Sequence, residues 1–406
     1  MFLTERRLRT HAALLALVTW TVYFWTIATP TLRDRNGNLK GTDFLHFYTL
    51  GIIATERRGD ALYDREVQTA LAGRRVPDAA GIAYLPLYPP QVSLLFAPFA
   101  RLSYGWALGV WWLWIGLIYG ACCYTIWRCC PSLSESGRTV ALLALAYPAF
   151  FHLIAWGQTS AIALACFAVA YLFLRNQRKF AAGLALGCLM FKPQLGLAAG
   201  VVLLIGAEWR ILGGAALSAV AQFSAGLAYF GVDPYRAWLR EIWNLPALLP
   251  ALEPRPYQSH NLFMFWSMLV PWRAPSLALY AISAAIALVW TIAIWRRQEL
   301  MSVKYSALLF AAALIAPHLI VYDLVILAPA ILLLADWAIS QLPSNRWLGP
   351  LLYLVYLLPF VGPYARWSHI QVSVIAMSGL LYLIWKMTER NPAAYTTRME
   401  NAATAL

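Results

Sequence analysis

Within the 406 residues, the stretch Gly41-Thr42-Asp43-Phe44-Leu45-His46-Phe47-Tyr48 sets one carboxylate among aromatic rings. A carboxylate packed against Phe44, Phe47 and Tyr48 near a membrane face is partly desolvated and so made more basic. That suits a general base taking a proton from a sugar hydroxyl. The same residue also suits a plain cap for a helix beginning at Phe44. From this stretch alone the cap is the stronger reading, and the rest of the chain shifts the balance. Asp34 lies closer to the first apolar run, but Arg33 and Arg35 beside it mark an ordinary solvated loop.

Further along, Lys192 interrupts the apolar run 180–206, and Pro193 beside it stops a helix. An ammonium at that depth is expensive, so two short helices meeting at a cationic turn fit better than one long span. The following helix N-terminus adds its dipole, and together they suit a phosphate. The plain alternative is a lysine snorkelling at a helix hairpin. His318 follows Pro317 at another junction, and Arg255 stands between Pro254 and Pro256 as a rigidly presented cation. Their plain readings are a structural histidine and a solvated loop charge. Gln158 and Gln194 hydrogen-bond sugar hydroxyls or satisfy helix ends. Tyr88 opens the Tyr88-Pro89-Pro90 segment, His260 lies in Tyr257-Gln258-Ser259-His260-Asn261, and Tyr322-Asp323 reads as a cap for the next span. Lys192→Ala and His318→Ala are expected to weaken donor use and leave folding largely intact.

The elements that must hold these residues are membrane helices. The chain is 61% hydrophobic and only 12% charged, with a mean hydropathy of +0.61. The apolar excess comes in long runs, which makes this an all-α polytopic membrane protein. Residues 12–29 form a retained anchor, preceded by Arg6, Arg7 and Arg9, which places the N-terminus in the cytoplasm. Further spans fall at about 104–127, 139–155, 158–174, 180–191, 193–206, 211–230, 276–295, 303–317, 320–336, 347–362 and 369–386, about twelve in all. Segment 91–100 is too short and is taken as interfacial or re-entrant, since counting it would put Arg175, Arg178 and Lys179 outside. Residues 1–390 then form one domain, with outer segments 30–103 and 231–275 and a polar cytoplasmic tail over 391–406. An amphipathic helix is expected from Phe44 to about Ala54, and with segment 91–100 it would admit a lipid chain from the bilayer. This topology gathers Asp43, Tyr88, Gln158, Lys192, Gln194, His260 and His318 on one extracytoplasmic face.

Several classes fall away. The net charge of +13 is scattered over short loops, so it speaks for orientation and anionic lipid rather than nucleic acid. Cys122, Cys123, Cys129 and Cys130 lack a histidine partner and read as apolar fillers. There is no phosphate-binding P-loop and no HExxH, and outer carboxylates are too few for a metal centre, so a site without metal or cofactor is expected.

Taken together, the motifs resemble glycosyltransferase family 87. They are Asp43-Phe-x-x-Phe-Tyr with Gly51, Leu62-Tyr63-Asp64, Tyr88-Pro89-Pro90 with Pro98, Gly157-Gln158, Lys192-Pro193-Gln194 and Pro317-His318 with Tyr322-Asp323. The similarity runs from about residue 40 to residue 330. It implies a membrane transferase of the GT-C architecture, dependent on polyprenyl-phosphate mannose. It further implies Asp43 as catalytic base, inversion at the anomeric carbon, and a glycolipid or polysaccharide acceptor. His46 departs from a pattern seen in some members and bears on the donor sugar. Two rivals remain open: a transporter or flippase of an anionic lipid or solute, and a ligase moving a whole glycan from a diphosphate-linked donor. The expected location is the inner (plasma) membrane, with the site facing the periplasm or exterior.

Overall fold

In a bilayer only a segment that satisfies its own backbone groups is stable, and the long apolar runs are accordingly helical. The computed structural model describes residues 4–245, 248, 255–340 and 346–390. Among these the only β contacts are two single bridges, Arg33 with Leu39 and Ser259 with Ile320. The chain is an all-α polytopic membrane protein. Seven helices among the described residues are long and apolar enough to cross a membrane: Glu5–Ile27, Tyr104–Trp127, Trp209–Phe230, Arg273–Arg296, Val321–Ser340, Leu348–Ser368 and Val372–Glu389. An eighth results if Pro131–Ala146 and Pro148–Trp156, bent by 47°, are one span. Pro148 supplies the break, since it has no N–H to continue the ladder. Ser160–Arg175, Lys179–Phe191, Pro193–Ile205 and Met301–Ile315 are apolar but shorter. Each segment expected to span therefore contains helix, while seven or eight reach a span's length. The tail over 391–406 lies outside the described residues.

Burial sorts these helices into a centre and a rim. Met301–Ile315 is covered from Tyr305 to Ile315 without a gap, as expected of a helix that is apolar all round. It is packed by Arg273–Arg296, Leu197–Ile205, Ala328–Ser340 and Val372–Arg390. Glu5–Ile27 and Trp209–Phe230 instead leave Leu17, Val18, Trp25, Leu217 and Val220 exposed, the condition of lipid-facing helices.

Lys179–Gly187 and Trp209–Phe230 form the tightest helix pair. A Cβ on Gly183 would lie 2.0 Å from the Ile211 carbonyl oxygen, and one on Gly187 2.4 Å from that of Ala215. Small residues four apart let the backbones touch. The Lys179 ammonium bonds the Glu208 carboxylate at 2.7 Å, so the two ends of the 179–208 segment meet. It is a hairpin, and Lys192 sits at its turn.

The Thr42–Thr55 helix corrects one expectation. Every residue from Phe44 to Ala54 is buried, so the helix is not amphipathic. Its interior polar residues are His46 and Thr49 beside the Tyr48 phenol, and Thr49 spends its hydroxyl on the Leu45 carbonyl at 2.8 Å. Segment 91–100 breaks into the short helices Val92–Phe96 and Phe99–Arg101. It presses on the Thr42–Thr55 helix so closely that a Cβ on Gly51 would lie 2.3 Å from the Phe96 carbonyl oxygen. Five helical residues are far short of a span.

Candidate active site

Two glycines bring the segment that follows the first helix against the bent pair Pro131–Ala146 and Pro148–Trp156. Gly41 and Gly157 both have left-handed backbones, with φ of 60° and 71°, which side-chain-bearing residues rarely adopt. A Cβ on Gly157 would stand 2.8 Å from that of Phe44, with the Gly41 Cα at 3.5 Å. Tyr104 and Trp111 fix the junction, donating to the Gly41 carbonyl at 2.9 Å and the Gly157 carbonyl at 2.9 Å. Asp43 lies two residues after Gly41 and Gln158 directly follows Gly157, and their side chains meet: Gln158 Nε2 donates to Asp43 Oδ2 at 2.8 Å.

The cap reading of Asp43 does not hold. The helix begins at Thr42, its N-cap is Gly41, and no side chain caps it. Asp43 is instead a half-buried carboxylate whose described hydrogen bond comes from Gln158. Burial pushes its carboxyl up from 3.8 to about 6, against the opposing pulls of Gln158, Lys192 and His318.

Behind Gln158 lies a saturated polar cluster. Lys192 Nζ, buried at the hairpin turn, donates to Asp323 Oδ1 at 2.8 Å, to Ser160 Oγ at 3.0 Å and to Gln158 Oε1 at 3.4 Å. Ser160 also donates to Asp323 Oδ1 at 2.6 Å. The Ile320 amide occupies Asp323 Oδ2 at 3.2 Å. The ammonium stands 5.2 Å from the Tyr322 ring centroid, and the Tyr322 hydroxyl accepts from Gln158 Nε2 at 3.2 Å. Asp323 thus caps its helix, as expected, and also neutralises Lys192. That second role went unread from sequence. A lone Asp in an apolar helix start calls for a partner, and the lone Lys in the 180–206 run was the signal.

The other expected residues divide. The Tyr88 phenol lies in the field of Lys192, Asp323 and Asp43, next to Thr159. His318 acts on Asp43 electrostatically and belongs to the same group. His46, one turn beyond Asp43, is buried between Tyr84 and Tyr88, with ring centroids at 5.1 and 5.8 Å. Neither of its ring nitrogens has a described partner, and burial lowers its pKa to about 4, so it is neutral near pH 7. Tyr48 is turned to packing: its hydroxyl donates to the Leu102 carbonyl at 2.8 Å. Gln194 is half-buried two residues after Lys192, and Arg255 is exposed. His260 is buried and bonded through Nδ1 to Ser373 Oγ at 2.6 Å, while its backbone N–H donates to the Leu319 carbonyl at 3.0 Å. It therefore bolts the 256–261 segment to the Val372–Arg390 helix beside His318, outside the Asp43 group. Tyr84, Thr159 and Ser160 were not anticipated; hydroxyls beside a motif residue give no signal of their own.

A half-buried carboxylate of raised basicity, an amide, phenols and cations at one end of a helical bundle suit a hydroxyl nucleophile and a phosphate leaving group. No curated protein and no solved structure matches the chain. The model of glycosyltransferase family 87 matches residues 87–317. That span contains Tyr88, Gln158, Lys192, Gln194, Arg255 and His260, while Asp43, His318 and Asp323 fall outside it. The match covers more than half of the 406 residues, and the chain belongs to glycosyltransferase family 87.

Proposed function

We propose that this glycosyltransferase moves a hexose, with mannose the expected sugar, from a polyprenyl-phosphate donor to a glycolipid or polysaccharide hydroxyl on the extracytoplasmic face. The acceptor oxygen attacks the anomeric carbon as the bond to the phosphate oxygen breaks, inverting the centre. Asp43 receives the hydroxyl proton, and the lipid phosphate leaves as an anion without needing protonation. The observation that carries this reading is Asp43 itself: raised to about 6 by burial, free of any capping duty, and held at 2.8 Å by one amide. A base with a pKa near the working pH serves best. His318 and the exposed Arg255 are the proposed partners of the donor phosphate, and His46, Tyr88, Gln158 and Gln194 the proposed sugar contacts. The four shorter apolar helices complete the bundle, and the site needs no metal.

Asp43→Asn tests the base. Asn keeps the shape and still accepts from Gln158, but it takes no proton. Transfer should fall by about a hundred- to ten-thousandfold, with donor binding and folding retained. An Asn variant that turns over normally removes Asp43 from the chemistry. Orientation is tested separately by single-cysteine labelling on intact cells. Position 258 should react from outside and position 177, near the Lys179–Glu208 end of the hairpin, only from inside. The reverse at position 177 would mean that segment 91–100 spans after all, and the one-sided site would dissolve.

A further inference from the structure

Gln158 presents two chemically opposite ends to two opposite neighbours. Its Oε1 faces the Lys192 ammonium at 3.4 Å and the Thr159 amide at 3.2 Å. Its Nε2 faces Asp43 at 2.8 Å and the Tyr322 hydroxyl at 3.2 Å. An ammonium has three donors and no acceptor, so it tolerates only the carbonyl end of an amide. Lys192 is itself held by Asp323 and Ser160 at 2.8 and 3.0 Å. We propose that the Lys192–Asp323 pair is a positioning device: it fixes which end of the Gln158 amide faces Asp43, and thereby keeps the base in its proton-accepting form. The proposal rests on the reading of Asp43 as base.

The alternative amide orientation would aim Oε1 at the Asp43 carboxylate. A hydrogen bond to the charged form would become a repulsion, and the carboxyl would hold its proton to higher pH. The groups whose fields reach Asp43 are Lys192, Asp323 and His318, together with the phenols of Tyr84, Tyr88 and Tyr104. Replacing Lys192 and Asp323 together removes one positive and one negative charge. Their direct effects on Asp43 oppose one another, so a displaced titration reports the amide.

The experiment uses the full chain in detergent with polyprenyl-phosphate mannose as probe and water as the accepting hydroxyl, following release of free mannose and polyprenyl phosphate against pH. The double variant Lys192→Met with Asp323→Leu exchanges a buried pair for apolar side chains, a change that proteins often tolerate. Wild type should lose rate below about pH 6. In the double variant that acid limb should move to alkaline pH by about one unit or more, with donor KM changed less than about threefold. An unmoved limb in an active double variant overturns the proposal. An unmoved limb with KM raised about tenfold or more also overturns it and makes Lys192 a phosphate ligand. A folded but inactive double variant overturns it too, because a displaced limb leaves turnover at alkaline pH. Should the double variant not fold, Gln158→Leu carries the test. It removes the amide that bonds both Lys192 and Asp43, and an unmoved limb there refutes the device. Failure of the base reading has a different signature: an active Asp43→Asn enzyme and no wild-type limb near pH 6.

Discussion

Asp43 and Asp323 stand on opposite walls of one site and are used in opposite ways. Asp323 is 1% exposed and receives Lys192, Ser160 and the Ile320 amide. Asp43 is half-buried and receives Gln158. The residue type is the same, and the difference is how many lone pairs the protein has already filled. A carboxylate whose lone pairs are filled by an ammonium, a hydroxyl and an amide serves structure. A carboxylate with unfilled lone pairs and raised basicity is the one left able to take a proton.

Breaking the saturated wall should have the larger effect on folding. Lys192→Ala leaves Asp323 buried and uncompensated, and Asp323→Ala does the same to Lys192. Each should cost about 3–5 kcal/mol, visible as a fall in the midpoint of thermal unfolding followed by tryptophan fluorescence in detergent. This reverses the expectation from sequence that Lys192→Ala would leave folding intact, because that expectation had no partner for the lysine. If both single variants unfold like wild type, the ion pair contributes nothing and the contrast between the walls disappears.

Altering the open wall should instead affect substrate. His318 shares the field around Asp43 and is half-buried rather than sealed. His318→Ala should weaken use of a polyprenyl-phosphate donor by about 1.5–3 kcal/mol, the range for a hydrogen bond to a charged group. The effect should appear in donor KM, with the unfolding midpoint nearly unchanged. An unaltered KM assigns His318 to the junction after Pro317 and nothing more.

What the sequence disclosed follows the range of the forces involved. Apolar runs and interrupting cations are local, so the helical segments and the turn at Lys192 were legible. So was the shortness of segment 91–100. The Thr42–Thr55 helix was misjudged because burial on every side is decided by what packs on it, and Phe96 and Trp111 come from far along the chain. The cap reading of Asp43 failed for a related reason: Gly41 takes the N-cap position only because Gly157 and Tyr104 meet it there. The Lys192–Asp323 pair joins residues 131 positions apart: each lone charge in an apolar run signals that it needs a partner, and only the fold shows which partner it has. The aromatic residues around Asp43 and the family resemblance both offered it as a candidate, but the matched residues, 87–317, do not include it. Its environment had to come from the fold.

The finest distinction between the walls is thermodynamic, and it concerns Asp43 alone. Its folded carboxyl titrates near 6, against 3.8 for an unperturbed Asp. The fold therefore favours the protonated form. Stability from this group is full below about pH 4, declines as pH rises to about 6, and is level above that. Asn has no such titration and keeps the hydrogen bond from Gln158. Asp43→Asn should thus match wild type in unfolding midpoint at pH 4 and exceed it at pH 7.5. The two-unit displacement bounds the gain at about 3 kcal/mol, and relaxation around the charge reduces it to about 1 kcal/mol. Paired thermal scans of the two proteins at both pH values measure the difference directly, and the other titrating groups cancel in the comparison. An Asn variant no more stable than wild type at pH 7.5 would mean that Asp43 is as well satisfied as Asp323. The site would then hold two structural carboxylates, and the base would have to be sought elsewhere.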